Sequence, residues 1–341
     1  MRYVEFHPGQ ISLLDGERSD LPVGWARIAV RACGVCGTDL HTLEGMVLPP
    51  GIVYPLRPGH EVAGIVTEIN GDASKSGIEV GASVVLHPLI PCGECTSCRS
   101  GAENRCADAQ TLGFHQPGGM AEEVVWPIDR LVNVDDLPFE QAALLADAVA
   151  TAYRAFTVAA PPPGAVMCVL GAGGVGTHLL QIAAALDPTL QLVTVVRSEA
   201  TAARAAEMGV AAIVGLDDSP RALRARFGPA DVVVDFSGAT RAPRIGLRML
   251  RPGGRLVLGS VNDEQLELGT SITALMMREV QVCGTYTSTI ADLRAATDLV
   301  RSGGIDLRAS ASLRFPLADV DAALRTVKER PNGLVRVVVL P

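Results

Sequence analysis

The pattern of apolar positions changes character twice along the 341 residues. From Ile28 to about Pro138, short runs rich in Val and Ile, among them 27–30, 61–69, 82–88 and 122–127, are separated by Gly, Pro and polar turns. Runs of that length and spacing predict strands in an antiparallel, barrel-like arrangement. Over 139–159 the period shifts and Ala and Leu recur every three or four residues, which predicts a helix. Beyond the breaker at 161–164, three prolines and a glycine, β-branched runs alternate with Ala-rich helical ones. Strands are expected at 165–171, 191–196, 211–215, 231–238 and 253–260, and helices at 174–186 and 198–209. That alternation predicts βαβ units and a parallel, doubly wound sheet. The stretch 333–341 reads as one more strand, free to return to the first domain.

Composition narrows the picture. Apolar residues at 48% supply ample core, and aromatics at 4% leave aliphatic side chains to build it. The length suits two domains. A net charge of −8 offers no basic field for phosphate backbones, so nucleic acid is not an expected partner. The first ten residues carry no apolar signal core, and no run approaches the ~18 uninterrupted apolar residues of a membrane span. A cytoplasmic location without membrane partners is the expectation. Eight cysteines in a reducing compartment, where they cluster, point to metal rather than disulfides.

Two local motifs carry chemistry by themselves. Gly171, Gly173 and Gly176, with Gly174 and Val175 between them, match the G-x-G-x-x-G turn between a predicted strand and a predicted helix. Glycine is needed there because a Cβ would block the tight turn, the approach of a pyrophosphate and the contact of helix with strand, while the helix N-terminus favours negative charge. About twenty residues on, where NAD sites carry an acid for the adenosine ribose, stands Val196, followed by Arg197 and Ser198. Loss of the acid and a nearby guanidinium tilt the expectation towards NADP(H) over NAD(H); in the opposite reading Arg197 is solvated and Glu199 serves NAD. The second motif is Cys92, Cys95, Cys98 and Cys106, in C-x2-C-x2-C-x7-C order. Four thiolates so spaced close tetrahedrally on a structural zinc, with an iron–sulfur cluster as the competing reading.

Cys36, in the stretch 33–41 with Thr38, Asp39 and His41, and His60 beside Glu61, complete the candidates. These stretches, the four-cysteine lobe and the glycine turn, in this order, resemble the zinc-containing medium-chain dehydrogenase/reductase family, alcohol dehydrogenase type. The resemblance implies an α/β protein: a GroES-like β-rich catalytic domain, 1–147 and 289–341 with the zinc lobe at 91–107, and a Rossmann coenzyme domain, 148–288. It implies two zinc ions per chain, one structural and one catalytic, the latter held by Cys36, His60 and Asp147. An acid as third ligand departs from the commoner cysteine and substitutes a harder oxygen donor; the plainer reading of Asp147 is a helix cap. Glu61 would sit behind the zinc, and Asp39 would accept the second N–H of His60. Arg336 would lie near Asp39 and the coenzyme pyrophosphate. A proton relay would run from Thr38 through the nicotinamide ribose to His41. The implied reaction is hydride transfer between NAD(P)(H) and an alcohol/carbonyl pair. Residues in 46–50 and 112–115, including Phe114, and in 284–288, including Tyr286, would line an apolar substrate pocket. A homodimer or homotetramer would form near 280–288. Cys33, Cys168 and Cys283 read as core. Two alternatives stay open: a reductase of imines or activated double bonds, and a non-catalytic zinc-binding relative.

Overall fold

The computed structural model describes every residue except Val47, Pro49, Pro50, Asp263, Asn332 and Gly333. It divides into two compact units, one of Met1–Ala150, Ser288–Thr297 and Leu307–Pro341, the other of Thr151–Thr287 and Asp298–Asp306.

The first unit is built on the 11-residue strand Trp25–Val35, buried at most positions along its length. Antiparallel neighbours Glu61–Asn70, Glu123–Pro127 and Arg336–Leu340 flank it. Ser83–Leu86 and Leu131–Asn133 extend the sheet on one side, and Ala311–Pro316 lies parallel to Arg336–Leu340 on the other, giving seven strands. The stretch near the end of the sequence is therefore a strand of the first unit. Register decides what gathers at one end of this sheet. Val337 faces Val35, and Glu61 faces Gly34. The residues next along each strand, Arg336, Cys36 and His60, consequently meet. Gly34 has to be glycine, because a Cβ there would fall 1.9 Å from a carboxylate oxygen of Glu61.

With few aromatics available, the core is Val, Ile and Leu packed round fully buried Trp126. The Trp126 indole donates to the His87 carbonyl at 2.9 Å and meets Trp25 edge-on at 6.1 Å. Among the elements that escape the sequence reading is a hairpin of Arg2–His7 and Gln10–Asp15, which buries Val4 and Phe6. The Pro8-Gly9 pair marks its turn, with Gly9 at φ +73°.

The second unit holds six parallel strands in the order Ala211–Val214, Gln191–Val196, Val166–Leu170, Ala230–Asp235, Leu250–Leu258, Gln281–Gly284. Numbered along the chain this is 3-2-1-4-5-6, the doubly wound dinucleotide-fold order. All five residues of Val166–Leu170 are buried, as expected of a central parallel strand covered on both faces.

The helical run 139–159 comprises Phe139–Leu144, a π turn at Leu145–Val149, and Ala150–Ala159. Among the described residues it alone is long and apolar enough to cross a bilayer; 67% of its most apolar window is buried inside the structure, as in a core helix.

His87 is fully buried with its ring nitrogens facing the carbonyls of Leu89 (3.4 Å) and Ser288 (3.0 Å). Burial, helped by the Arg130 charge, lowers its pKa to about 4 although both carbonyls favour the protonated ring. The unfolded chain, near 6.5, then binds the proton more readily than the folded one. The neutral ring's contribution is complete above pH 6.5 and is lost as pH falls from 6.5 towards 4, by up to about 3 kcal/mol. Thermal melts between pH 7 and 4.5 should therefore show a steeper fall in Tm for the wild type than for His87→Gln.

Candidate active site

The first cluster lies wholly in the first unit. Cys36 N-caps the short helix Gly37–Leu43, and its backbone N–H donates to Asp39 Oδ2 at 2.8 Å. Asp39 Oδ1 stands 3.6 Å from His60 Nδ1, so one carboxylate holds the cysteine's backbone and faces the imidazole. The far side of the His60 ring, Nε2, is 3.9 Å from Asp147 Oδ2, and Cys36 Sγ is 3.5 Å from the same oxygen. Phe114 covers His60, with ring centroids 5.9 Å apart. Asp147 sits in the π turn, inside a continuous helical run; this rules out the helix-cap reading.

Arg336 is buried, with its Nη2 2.8 Å from Glu61 Oε1 and 3.2 Å from Asp147 Oδ2. Burial opposes its charge, but Glu61, Cys36 and Asp147 hold it firmly protonated. Burial likewise opposes ionisation of Cys36, yet Arg336 holds that thiol below its ordinary value. Donor atoms from Cys36, His60, Glu61 and Asp147 all fall within 4.8 Å of one another. Arg336 engages both Glu61 and Asp147, so the cluster offers a thiol, an imidazole and two carboxylates, a donor set suited to zinc. Thr38 Oγ1 is 3.7 Å from Cys36 Sγ, and His41, one turn further on the same helix, is exposed.

The second cluster is the four-cysteine lobe. Zn–S bonds of about 2.3 Å in a tetrahedron set sulfur separations of about 3.8 Å. Here Cys92 and Cys98 are 3.8 Å apart and Cys95 and Cys98 3.4 Å, and all four sulfurs lie within 4.8 Å. That is too tight to surround a multi-iron cluster and fits one ion. Backbone N–H groups converge on the sulfurs, from Cys92 to Cys106, Cys95 to Cys92 and Cys98 to Cys95, at 3.4–3.5 Å. Donation from the Glu94 and Cys95 backbones lowers the Cys92 thiol to about 7. None of the eight cysteines is in a disulfide.

The third feature belongs to the second unit. The strand Val166–Leu170 runs into Gly171, at φ +90°, where a Cβ would strike Ser237. A Cβ on Gly176 would fall 1.9 Å from the Gly171 carbonyl, so this glycine lets the helix Gly174–Leu186 press against the turn. Gly173 N-caps that helix, and a Cβ there meets nothing within 4 Å; the turn is open on this side. No acidic residue occupies the helix's first turn, and its positive end is left for an anion. Val196 is buried at the end of its strand and Arg197, next to it, is exposed. The Ser198 hydroxyl caps the helix Glu199–Glu207 by accepting from Thr201 N. Glu199, in that helix's first turn, is exposed where its charge suits the dipole.

Of the other expected positions, Tyr286 is exposed and Val47, Pro49 and Pro50 lie outside the described residues. Sequence reasoning missed the pairing of Arg336 with Asp147 and the π turn that carries Asp147. Neither leaves a local signal.

Two family models match the chain: the alcohol dehydrogenase GroES-like domain over residues 22–136 and the zinc-binding dehydrogenase over 174–302. Cys36, His60 and the four-cysteine lobe fall inside the first. Two curated alcohol dehydrogenases of Geobacillus stearothermophilus are similar. One is 32% identical over 301 residues, 86% of each chain; the other is 29% identical over 337 residues, 97% of each. Among solved structures, a protein from Sinorhizobium meliloti, named as a zinc-binding dehydrogenase and bound to NADP, superposes with a TM-score of 0.88 at 26% identity, over 100% of this chain and 99% of that one. Similarity of this depth along almost the full length is more than a common fold: the chain belongs to the zinc-containing medium-chain dehydrogenase/reductase family, alcohol dehydrogenase type.

Proposed function

We propose that the protein is a zinc-dependent alcohol dehydrogenase that moves a hydride between NAD(P)(H) and an alcohol/carbonyl pair. The observation that carries this reading is the convergence of Cys36, His60 and Asp147, three donors of different chemistry drawn from distant parts of the chain. Three protein donors leave a tetrahedral ion one exchangeable position, the mark of a catalytic site, whereas four cysteines close the other. In this reading 1–147 with 289–341 form the catalytic domain and 148–288 the coenzyme domain. Zinc supplies Lewis acidity towards the substrate oxygen, and the nicotinamide ring supplies the redox chemistry.

The chain's own residues do the rest. Asp39 orients His60 by facing its second ring nitrogen. Arg336 holds Glu61 and Asp147 in place. Thr38, beside Cys36, takes the alcohol proton, and exposed His41 releases it to solvent. The turn Gly171–Gly176 and the N-terminus behind it receive the pyrophosphate. Arg197, exposed beside a strand end without a carboxylate, pairs with a 2′-phosphate, which favours NADP(H), the dinucleotide bound by the Sinorhizobium meliloti relative.

Features of the second unit support a homo-oligomer. Its edge strand Gln281–Gly284 lies near Ile272, Met276, Met277 and Tyr286 in sequence, all strongly exposed. An apolar surface beside an unpaired strand edge suits a second copy of the chain. Eight unpaired thiols suit the cytoplasm. The readings as an imine or double-bond reductase, or as a non-catalytic protein, gain no support from relatives named alcohol dehydrogenases.

Metal analysis should find two zinc ions per chain and one after His60→Ala with Asp147→Ala; a single ion that survives the double substitution overturns the catalytic assignment. Nicotinamide absorbance against alcohols, ketones and aldehydes should show turnover. Arg197→Ala is then expected to raise KM for NADP by about tenfold or more with kcat little changed, the loss of one charge-assisted phosphate contact. His41→Ala should lower kcat by at most about 100-fold, the low end of general acid–base catalysis, with recovery on adding imidazole.

A further inference from the structure

The second unit holds a cation that none of these roles uses. Arg204 lies in the helix Glu199–Glu207, and its Nη2 donates to the Ala172 carbonyl, inside the glycine turn, at 2.8 Å. Thr177 Oγ1 donates to the same oxygen at 3.0 Å. The remaining Arg204 atoms Nε and Nη1 are buried and have no hydrogen-bond partner among the described residues. Burial holds the guanidinium below its ordinary pKa, offset only in part by Glu207. An arginine stays charged even so. A charge half-buried with spare donors is costly, and any of the alanines that make up most of this helix would avoid the cost. Something other than the fold accounts for it.

The Ala172 carbonyl shows what that is. In a trans peptide the C=O and the following N–H point in opposite directions. Two donors pin the Ala172 oxygen from one side, so the Gly173 N–H faces the other. Gly173 is exposed, with open space where a Cβ would stand, and it begins the helix Gly174–Leu186. A cation on the carbonyl end of a peptide also polarises it, making its N–H a stronger donor.

We propose that Arg204 is a positioning residue for the dinucleotide pyrophosphate: it fixes and polarises the Ala172–Gly173 peptide so that the Gly173 N–H meets a phosphate oxygen, and the bound anion compensates its charge. The proposal rests on the reading of this turn as the dinucleotide site. It assigns the molecule a cation beneath the phosphate loop, separate from Arg197 on the adenosine side.

The test is binding without turnover, on the full chain, by calorimetry with ADP-ribose, which carries the pyrophosphate but no nicotinamide, and with adenosine, which carries no phosphate. Arg204→Met and Arg204→Gln should weaken ADP-ribose by about tenfold or more and leave adenosine unchanged, while Arg204→Lys, which keeps the charge, stays within about threefold of wild type. Without ligand, Arg204→Met should melt at or above the wild-type temperature, since it removes an unfavourable buried charge. ADP-ribose affinity unchanged in Arg204→Met overturns the proposal. So does equal weakening of ADP-ribose and adenosine, or an Arg204→Gln that binds like wild type, since an uncharged hydrogen bond to Ala172 would then suffice. A wild-type protein that binds neither ADP-ribose nor NADPH removes the dinucleotide reading itself, an outcome distinct from any change among the variants.

Discussion

Arg336 is shut inside a strand-rich unit between two carboxylates, Glu61 and Asp147, of which the first is wholly buried. Buried charges are tolerated only when paired, and removing one partner of such a set strands the others at a cost of several kcal/mol. This group therefore constrains far more than itself. Arg336 and Glu61 belong to the two strands that flank Trp25–Val35, and a slip of one residue in either would turn a charge into apolar core. The same register delivers Cys36 and His60 to the same end of the sheet. The third carboxylate, Asp39, then ties cysteine to histidine from the outside. The candidate donors Cys36 and His60 are thus held in place by a network of largely buried charges, of which Asp147 is itself a candidate donor.

The two clusters of potential metal donors were legible in the sequence to different degrees, for a reason rooted in chain geometry. Cys92 to Cys106 span one short loop, and spacing alone announces a tetrahedral set. Cys36, His60 and Asp147 are brought together by strand pairing and a helix, so no spacing rule finds them and only the family resemblance pointed there. Asp147 illustrates the limit further. Its position in mid-helix, which excludes a cap, depends on the π turn at Leu145–Val149, and a turn of that kind has no signature in hydrophobic period. The pairing of Arg336 with Glu61 and Asp147 was equally hidden, because strand register and a helix bring the three together from distant parts of the chain.

The parallel sheet was readable because strands covered on both faces write continuous apolar runs, as Val166–Leu170 does. The hairpin Arg2–His7 with Gln10–Asp15 was not, because Glu5, Gln10 and Asp15 dilute a pattern half of which faces solvent. Arg204 could not have been singled out either: in sequence it is one more charge on an Ala-rich helix, and only the place its side chain reaches distinguishes it.

The strand Arg336–Leu340 has a further consequence, which concerns time rather than space. Its neighbour Trp25–Val35 is made early in synthesis, yet the residue that neutralises Glu61 arrives only after the whole of 151–287 has been translated. The second unit has all six strands of its sheet by residue 284 and can fold while the first still lacks an inner strand. The half of the protein that leaves the ribosome first is thus the half completed last. Until then its open sheet edge is exposed to the wrong partners, the hazard that chaperones exist to cover.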